Sequence, residues 1–204
     1  MLNNIVVIDT NTGNQSSVFN ALIRLGCNVK ISNNHKDIND ASHLILPGVG
    51  SFPNFMRNFN NLNLKSILFE NILSKKKPIL GICIGMQVLA SFGNEFERTP
   101  GLNLIPGDVD KIDNKDLLLP HIGWNSVRIH KETAITKKIS NNSDFYFVHS
   151  YYFLPENKNY VTGIVNYSHS IPCIVEKDNI IGVQFHPEKS QNAGLLLLKN
   201  FISL

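Results

Sequence analysis

The sequence predicts an α/β fold built on a doubly wound, mainly parallel sheet, with additional antiparallel strands in its C-terminal half. Three observations carry this. Short β-branched runs alternate with amphipathic stretches through the first half. A glycine-flanked strand-to-helix turn falls near residue 83. The second half is denser in strand-like segments than in helical ones. A repeated βα pattern implies parallel strands joined by crossovers.

Ile5-Val6-Val7-Ile8 reads as a buried strand. Asn14-Gln15-Ser16-Ser17 then opens a helix whose Val18, Leu22 and Leu25 share one face, with Gly26 at its C-terminal end. Val29–Ile31 and Leu44–Leu46 are further strands, and Ser66–Leu73 is a helix. Pro78–Ile82 is a strand running into a helix from Ile84 to about Phe92. Later strands are expected at Phe145–Phe153, Tyr160–Val165, Ile171–Glu176 and Ile180–Phe185, followed by a helix from Ala193 to Ile202. No repeat, low-complexity tract or linker interrupts the chain, so residues 1–204 are expected to form one domain.

With 204 residues, 43% hydrophobic and 17% charged, the chain has a globular balance. A net charge of +3 gives no argument for nucleic acid or an anionic membrane. Lys75, Lys76 and Lys77 precede Pro78, where cations complement a helix end. The three cysteines, Cys27, Cys83 and Cys173, are odd in number and widely spaced, which argues against a disulfide framework or a zinc site. A reducing cytoplasm fits them. The segment from Met1 to Ile5 lacks a basic leader, and no apolar run approaches the ~18 residues of a membrane span. No metal or cofactor is expected.

Gly81-Ile82-Cys83-Ile84-Gly85 has the form of a nucleophile elbow, with glycine two positions to either side of the cysteine. The N-terminal field of the next helix favours a thiolate, and the Ile84 N–H faces the oxyanion that forms when the sulfur attacks a carbonyl. Alone, this pattern fits a buried cysteine in a β–α crossover equally well. Cys27 and Cys173 read as core residues. Gly182–Glu188 ends a strand, and residues two apart in an extended segment face the same side. His186 can thus act as a base, with Glu188 fixing its tautomer. The bland reading is a surface ion pair. His121 and His149, in aromatic-rich segments, compete for the role, whereas His35 and His130 read as solvated. Leu46–Phe52, with Gly48 and Gly50, forms a loop able to bring N–H groups to a ligand, or else a plain turn.

Together these residues resemble the class I glutamine amidotransferases. More narrowly, they resemble the family of glutaminase subunits of imidazole glycerol phosphate synthase, from histidine biosynthesis. Gly-Ile-Cys-x-Gly-Met-Gln with a distant His-Pro-Glu marks the class. Pro120–Asn125 and Phe147–Tyr151 mark the narrower family, and the likeness runs from Ile5 to Phe201. The resemblance implies a flavodoxin-like fold and a Cys83–His186–Glu188 triad. It implies that Gln87 and the backbone of His149, Ser150 and Tyr151 hold glutamine. It implies an oxyanion hole from Ile84 and the Pro47–Gly50 segment, which includes Gly48, Val49 and Gly50. It places Asn14, Trp124, Tyr146 and Lys189 at the interface with a (β/α)₈-barrel cyclase that receives ammonia in a heterodimer. The paralogous glutaminase subunits of surface-sugar amidotransferases share nearly every motif and are the alternative. A stand-alone thiol hydrolase and an inactive binding homologue are further readings. The chain departs from the family at Thr10–Gln15, which lacks a Tyr-Gly pair, at Ile84 in place of leucine, and at Asn103 in place of glycine.

Overall fold

The computed structural model describes residues 3–113 and 117–204. Met1 and Leu2, read above as part of a segment without a leader, lie outside the described residues. The parallel half contains β1 (Asn4–Ile8), α1 (Gln15–Arg24), β2 (Asn28–Ser32), α2 (His35–Asp40), β3 (His43–Gly48), α3 (Phe52–Asn61), α4 (Lys65–Phe69), β4 (Ile79–Cys83) and α5 (Ile84–Gln87). A π-helical turn, Glu70–Ser74, continues α4. The remainder contains β5 (Phe92–Gly93), β6 (Thr99–Pro100), β7 (Gly107–Lys111), β8 (His121–Ile129), β9 (Ser143–His149), β10 (Tyr151–Pro155), β11 (Val161–Tyr167), β12 (His169–Lys177), β13 (Ile180–Val183) and α6 (Gln191–Phe201).

The large sheet runs β2-β1-β3-β4-β13-β12-β11-β8-β9. Its first five strands are mutually parallel, in the order of flavodoxin-like folds. The fifth, β13, comes from the far end of the chain, so both halves contribute to one sheet. From β13 outward every pairing is antiparallel. The central parallel strands β3, β4 and β13 are buried along their whole length, because helices cover both faces. β8 and β9 alternate between buried and accessible residues, as half-solvated antiparallel strands do. A smaller sheet, β10-β7-β5-β6, packs beside it.

Two apolar clusters cover the two faces. On one face, Phe52, Phe55, Met56 and Phe59 of α3 lie at helical spacing against Leu44 and Leu46. On the other, Val18 and Leu22 of α1 and Leu197, Leu198 and Phe201 of α6 pack on Val7, Ile45 and Leu80. α3, α2, β7 and β8 were not anticipated from the sequence. Gly26 takes the left-handed conformation at φ 77° just past α1. Its N–H bonds Ile23 O, and the Cys27 N–H bonds Leu22 O, so the expected glycine cap is present.

Four expectations need correction. The helix after Cys83 ends at Gln87 rather than near Phe92. The carbonyls of Val88, Leu89 and Ala90, which would extend it, instead accept the N–H groups of residues 102–105. The span Phe145–Phe153 is two strands in different sheets, broken at Ser150. β13 stops at Val183, and Pro187–Lys189 is a 3₁₀ turn, so His186 and Glu188 are not alternate residues of one extended strand. Cys27 is only half-buried, whereas Cys173 is fully buried as expected. One departure from the family explains itself. Asn103 sits at φ 52°, a conformation that glycine adopts freely and asparagine tolerates.

Gly85 has the least room of any glycine: an added Cβ would lie 1.7 Å from Leu46 O. Gly26 has nothing within 4 Å of such an atom, so only its backbone conformation opposes a side chain. Gly26→Ala is expected to lower the unfolding free energy by about 1–2 kcal/mol. Gly85→Ala is expected to cost clearly more, because β3 and α5 must separate. Chemical denaturation of the two variants checks the ranking; equal losses would contradict the packing argument.

Candidate active site

Four parallel strands deliver the site from their carboxyl ends, where open α/β sheets bind ligands. The loop after β1 brings Asn14, β3 ends in Gly48, β4 ends in Cys83, and the chain beyond β13 brings His186 and Glu188. Cys83 holds φ 55° and ψ −112°, a strained conformation for a residue with a side chain. The flanking glycines permit it. A Cβ on Gly81 would meet Gly85 O at 2.5 Å, and Gly85 lies against β3. Gly48 pairs with Cys83 across β3 and β4, and a Cβ there would collide with Ile84 Cγ2 and Phe55 Cε2, both at 2.5 Å.

His186 is fully buried. Its Nδ1 lies 2.8 Å from Glu188 Oε1. Asn14 Nδ2 donates to the same oxygen at 2.8 Å and lies 3.3 Å from His186 Nδ1. Because that nitrogen's hydrogen goes to the carboxylate, the second Asn14 contact is proximity, not a bond. The backbone is pinned as well. The His186 N–H bonds Tyr146 O at 2.9 Å, Ser190 Oγ donates to His186 O at 2.6 Å, and the Tyr146 N–H donates to Ser190 Oγ at 3.0 Å. The remaining ring nitrogen, Nε2, is buried without a hydrogen-bond partner among the described residues.

Burial alone would discharge this imidazole. The Cys83 sulfur and the Glu188 carboxylate outweigh it and raise the His186 pKa from 6.5 to about 10. Burial likewise opposes the Glu188 carboxylate, but His186 and then Asn14 hold its pKa below the ordinary value. An imidazolium between a sulfur and a carboxylate is the arrangement of an activated cysteine. Around the sulfur, Gln184 Nε2 lies 3.9 Å away and Val148 O 4.0 Å.

A cavity of about 210 Å³ opens beside Cys83. This is below the roughly 300–1,000 Å³ of drug-sized sites and suits a small metabolite. Gly50, Ile84, Gln87, His149, Ser150 and Tyr151 line it, with Cys83, Glu95, Pro120 and Val148. Gly48 and Val49 do not line it: Gly48 is buried behind Ile84, and Val49 faces outward, 38% exposed. Gln87 spends its amide hydrogens on Tyr151 O at 2.9 Å and Gln184 Oε1 at 3.0 Å, which leaves its side-chain oxygen for a ligand.

Two features were missed in the sequence. Glu95 brings a carboxylate to the cavity wall, where its Oε2 accepts the Phe52 N–H at 2.8 Å at the start of α3. Burial raises its pKa, and that N–H opposes the rise. No spacing pattern marks Glu95. The other feature is the reach of Asn14, placed by sequence at the partner surface, onto Glu188. Asp9 Oδ1 shapes its loop by accepting the Asn11 N–H and Gln15 Nε2. The remaining interface candidates form an exposed group beside the site. Trp124 is 48% exposed and meets Tyr146 edge-on at 6.0 Å, and Lys189 Nζ stands 5.7 Å over the Tyr146 ring.

The rival histidines are committed elsewhere. His149 bonds Tyr151 O and His121 through its two nitrogens, and His121 bonds His149 and Asn125. His35 and His130 are exposed. Among the described residues no group of three or more His, Cys, Asp or Glu is placed to hold a metal ion, and no helix is long and apolar enough to cross a membrane.

The sequence profile of the class I glutamine amidotransferases matches residues 6–204. The chain belongs to this family. It is 43% identical over 207 residues to the imidazole glycerol phosphate synthase subunit HisH of Pelagibacter ubique, covering 98% of this chain and 100% of that one. It is 44% identical to subunit HisH 1 of Campylobacter jejuni strain RM1221, again over 98% and 100%. A putative GMP synthase protein from Thermoplasma acidophilum superposes with a TM-score of 0.74 at 19% identity, covering 100% of this chain and 94% of that one. At that identity the superposition speaks for the fold alone. As a class I glutamine amidotransferase the chain is an enzyme, and its HisH relatives extend the likeness over nearly its whole length.

The charge state of His186 has a consequence for stability. Its folded pKa of about 10 lies above the ordinary 6.5, so its contribution is full below pH 6.5 and is lost as pH rises through 10. Unfolding free energy is expected to fall across that window, and the fall should be markedly smaller in His186→Gln. Urea titrations at intervals from pH 6.5 to 10 measure both. Parallel curves for the two proteins would show that His186 is not held as an imidazolium.

Proposed function

We propose that this amidotransferase is the glutaminase subunit of imidazole glycerol phosphate synthase. In this reading it hydrolyses glutamine to glutamate and passes ammonia to a (β/α)₈-barrel cyclase partner in histidine biosynthesis. The observation that carries the chemistry is the buried His186, anchored on Glu188 through Nδ1 with Nε2 unpartnered among the described residues, and its charge favoured by Cys83, which sits at a strained strand-to-helix elbow. The names and near-full coverage of the HisH relatives support the pathway.

The side-chain amide of glutamine enters the cavity. The backbone around His149, Ser150 and Tyr151 meets its α-carboxylate, the Gln87 side-chain oxygen can accept one of its N–H groups, and the Glu95 carboxylate suits its ammonium group. Cys83 Sγ attacks the amide carbon. The Ile84 N–H and an N–H of the Gly48–Gly50 segment donate to the oxyanion. His186 gives its Nε2 proton to the leaving nitrogen, releasing ammonia and a thioester. Water, deprotonated by His186, attacks the thioester carbon, and the C–S bond breaks to give glutamate. Asn14 and Glu188 keep the ring oriented throughout.

Ammonia that escapes to solvent at neutral pH is mostly ammonium, which has no lone pair for attack, so direct delivery and partner-controlled hydrolysis are both useful. The segment before α3 supplies a device. Gly50 stands at φ 98°, where an added Cβ would meet nothing within 4 Å, and the conformational freedom of glycine lets the adjoining peptides reorient at low cost. Gly13 of the Asn14 loop lies so close that an added Cβ would be 3.6 Å from Val49 Cγ2. A partner touching Asn14, Trp124, Tyr146 and Lys189 would therefore bear on both the oxyanion segment and the His186 loop. One missing oxyanion donor costs ~10²–10³ in rate.

Cys83→Ala is expected to remove glutamine hydrolysis by several orders of magnitude while leaving the fold intact. His186→Asn should lower it by about 10²–10⁴-fold, and Cys27→Ala and Cys173→Ala should retain most activity. Substantial turnover by Cys83→Ala would end the nucleophile assignment.

Glutamate release should be slow for the chain alone and strongly stimulated when the barrel cyclase and its ribotide ligand are both present. Trp124→Ala or Tyr146→Ala should weaken that stimulation more than it weakens folding. Equal rates for the chain alone, with partner, and with partner plus ligand would remove the case for partner gating and favour a stand-alone thiol hydrolase.

A further inference from the structure

We propose that His121 is a positioning residue: through His149 it holds the Ser150–Tyr151 wall and Gln87 in place, and so sets the affinity of the pocket for glutamine rather than the rate of turnover. This deepens the glutaminase reading and rests on it. His121 itself does not line the cavity, whereas His149, Tyr151 and Gln87 do.

The tautomers follow from the contacts. Tyr151 O can only accept, so His149 Nδ1, 2.9 Å away, carries the hydrogen. In a neutral ring the other nitrogen, Nε2, is then a lone pair. The atom facing it at 3.0 Å is His121 Nδ1, which must donate. His121 Nε2 is in turn a lone pair and accepts from Asn125 Nδ2 at 3.2 Å. The orientation of Asn125 is independently fixed, because its Oδ1 accepts the Ser126 N–H at 2.8 Å and its Nδ2 also donates to Asn166 O at 3.0 Å. Every group is satisfied with the hydrogens running one way. A second proton on either ring would set N–H against N–H.

Burial keeps the pair neutral, with both pKa values pushed down to about 4. The His121 ring is clamped between Tyr167 at 4.0 Å and Phe147 at 4.9 Å, each within 20° of parallel. The chain of bonds does not stop at Tyr151 O. That oxygen also takes Gln87 Nε2 at 2.9 Å, and Gln87 Nε2 reaches Gln184 Oε1 at 3.0 Å. One ring outside the pocket thus governs the pocket wall and the residue just past the elbow.

The test uses the full chain in complex with its barrel cyclase and ribotide ligand. His121→Phe keeps the ring stack and removes both nitrogens. It should raise KM for glutamine on the order of tenfold, the worth of about one buried hydrogen bond, with kcat within about threefold of wild type. His121→Asn restores an amide donor near the Nδ1 position and should bring KM back towards wild type. The rate of Cys83 alkylation by iodoacetamide without glutamine should be unchanged in both. If His121→Phe does not fold, His121→Leu takes its place. Wild-type KM in the variant, no recovery in His121→Asn, or a fall in kcat and alkylation at unchanged KM would each overturn the proposal. A wild-type complex that releases no glutamate would instead overturn the glutaminase reading beneath it.

Discussion

The site depends on how closely the turn after β4 lies against β3. At Gly85 the backbone comes so near to Leu46 O that no Cβ fits, and Gly81 meets the same turn from below. This approach holds Cys83 at φ 55° and ψ −112°, beside the carboxyl end of β13. Such strain persists only where surrounding packing over-determines it. Here the packing is Ile84, Phe55 and Met86 against Gly48 and Gly182, with glycine wherever two backbones or a side chain must meet closely.

Given that elbow, the rest of the site is supplied by strand order. β3, β4 and β13 are neighbours in the sheet though β13 is about a hundred residues further along the chain. The antiparallel extension beyond β13 has a supporting role. Its edge strand β9 folds back so that Tyr146 receives the His186 N–H and gives its own to Ser190. His186 is thereby held by the backbone of the strand that carries Tyr146 and, through pairing, meets Trp124. A contact at that surface and the placement of His186 share the same few residues.

What was legible in the sequence was local. The elbow rests on spacing alone, and glycine at 81 and 85 has no cheap substitute, so Cys83 stood out. In the first half β1, α1, β2, β3 and β4 followed from periodicity, whereas α2 and α3 did not stand out. Less legible were features whose cause lies far away in the chain. The helix after Cys83 looks apolar enough to run on to Phe92, but the loop at residues 102–105 takes the carbonyls that would extend it. Phe145–Phe153 reads as one strand because its residues favour strand throughout; only its pairing with β8 on one side of Ser150 and β7 on the other divides it. Glu95 and the inward reach of Asn14 have no periodic signature. Their meaning comes from α3 and Glu188, which lie 43 and 174 residues away in sequence.

The histidines show how neighbours, not residue type, set chemical role. Three of them lie in or around the site, and burial acts on all three in the same direction, against charge. At His121 and His149 nothing opposes it strongly enough. Their partners are another imidazole, an amide and a carbonyl, so both pKa values fall to about 4 and both rings are committed to passing hydrogen bonds along. At His186 a carboxylate and a sulfur oppose burial, and the pKa rises to about 10. The two kinds of neighbour drive the same side chain to opposite charge states. A ring with both nitrogens occupied and no charge can position but cannot exchange a proton without breaking its network. At His186 one nitrogen is anchored on Glu188 and the other has no hydrogen-bond partner among the described residues. The same imidazole is thus held neutral on one side of the cavity and charged on the other, and the difference lies in whether the buried neighbour bears a charge.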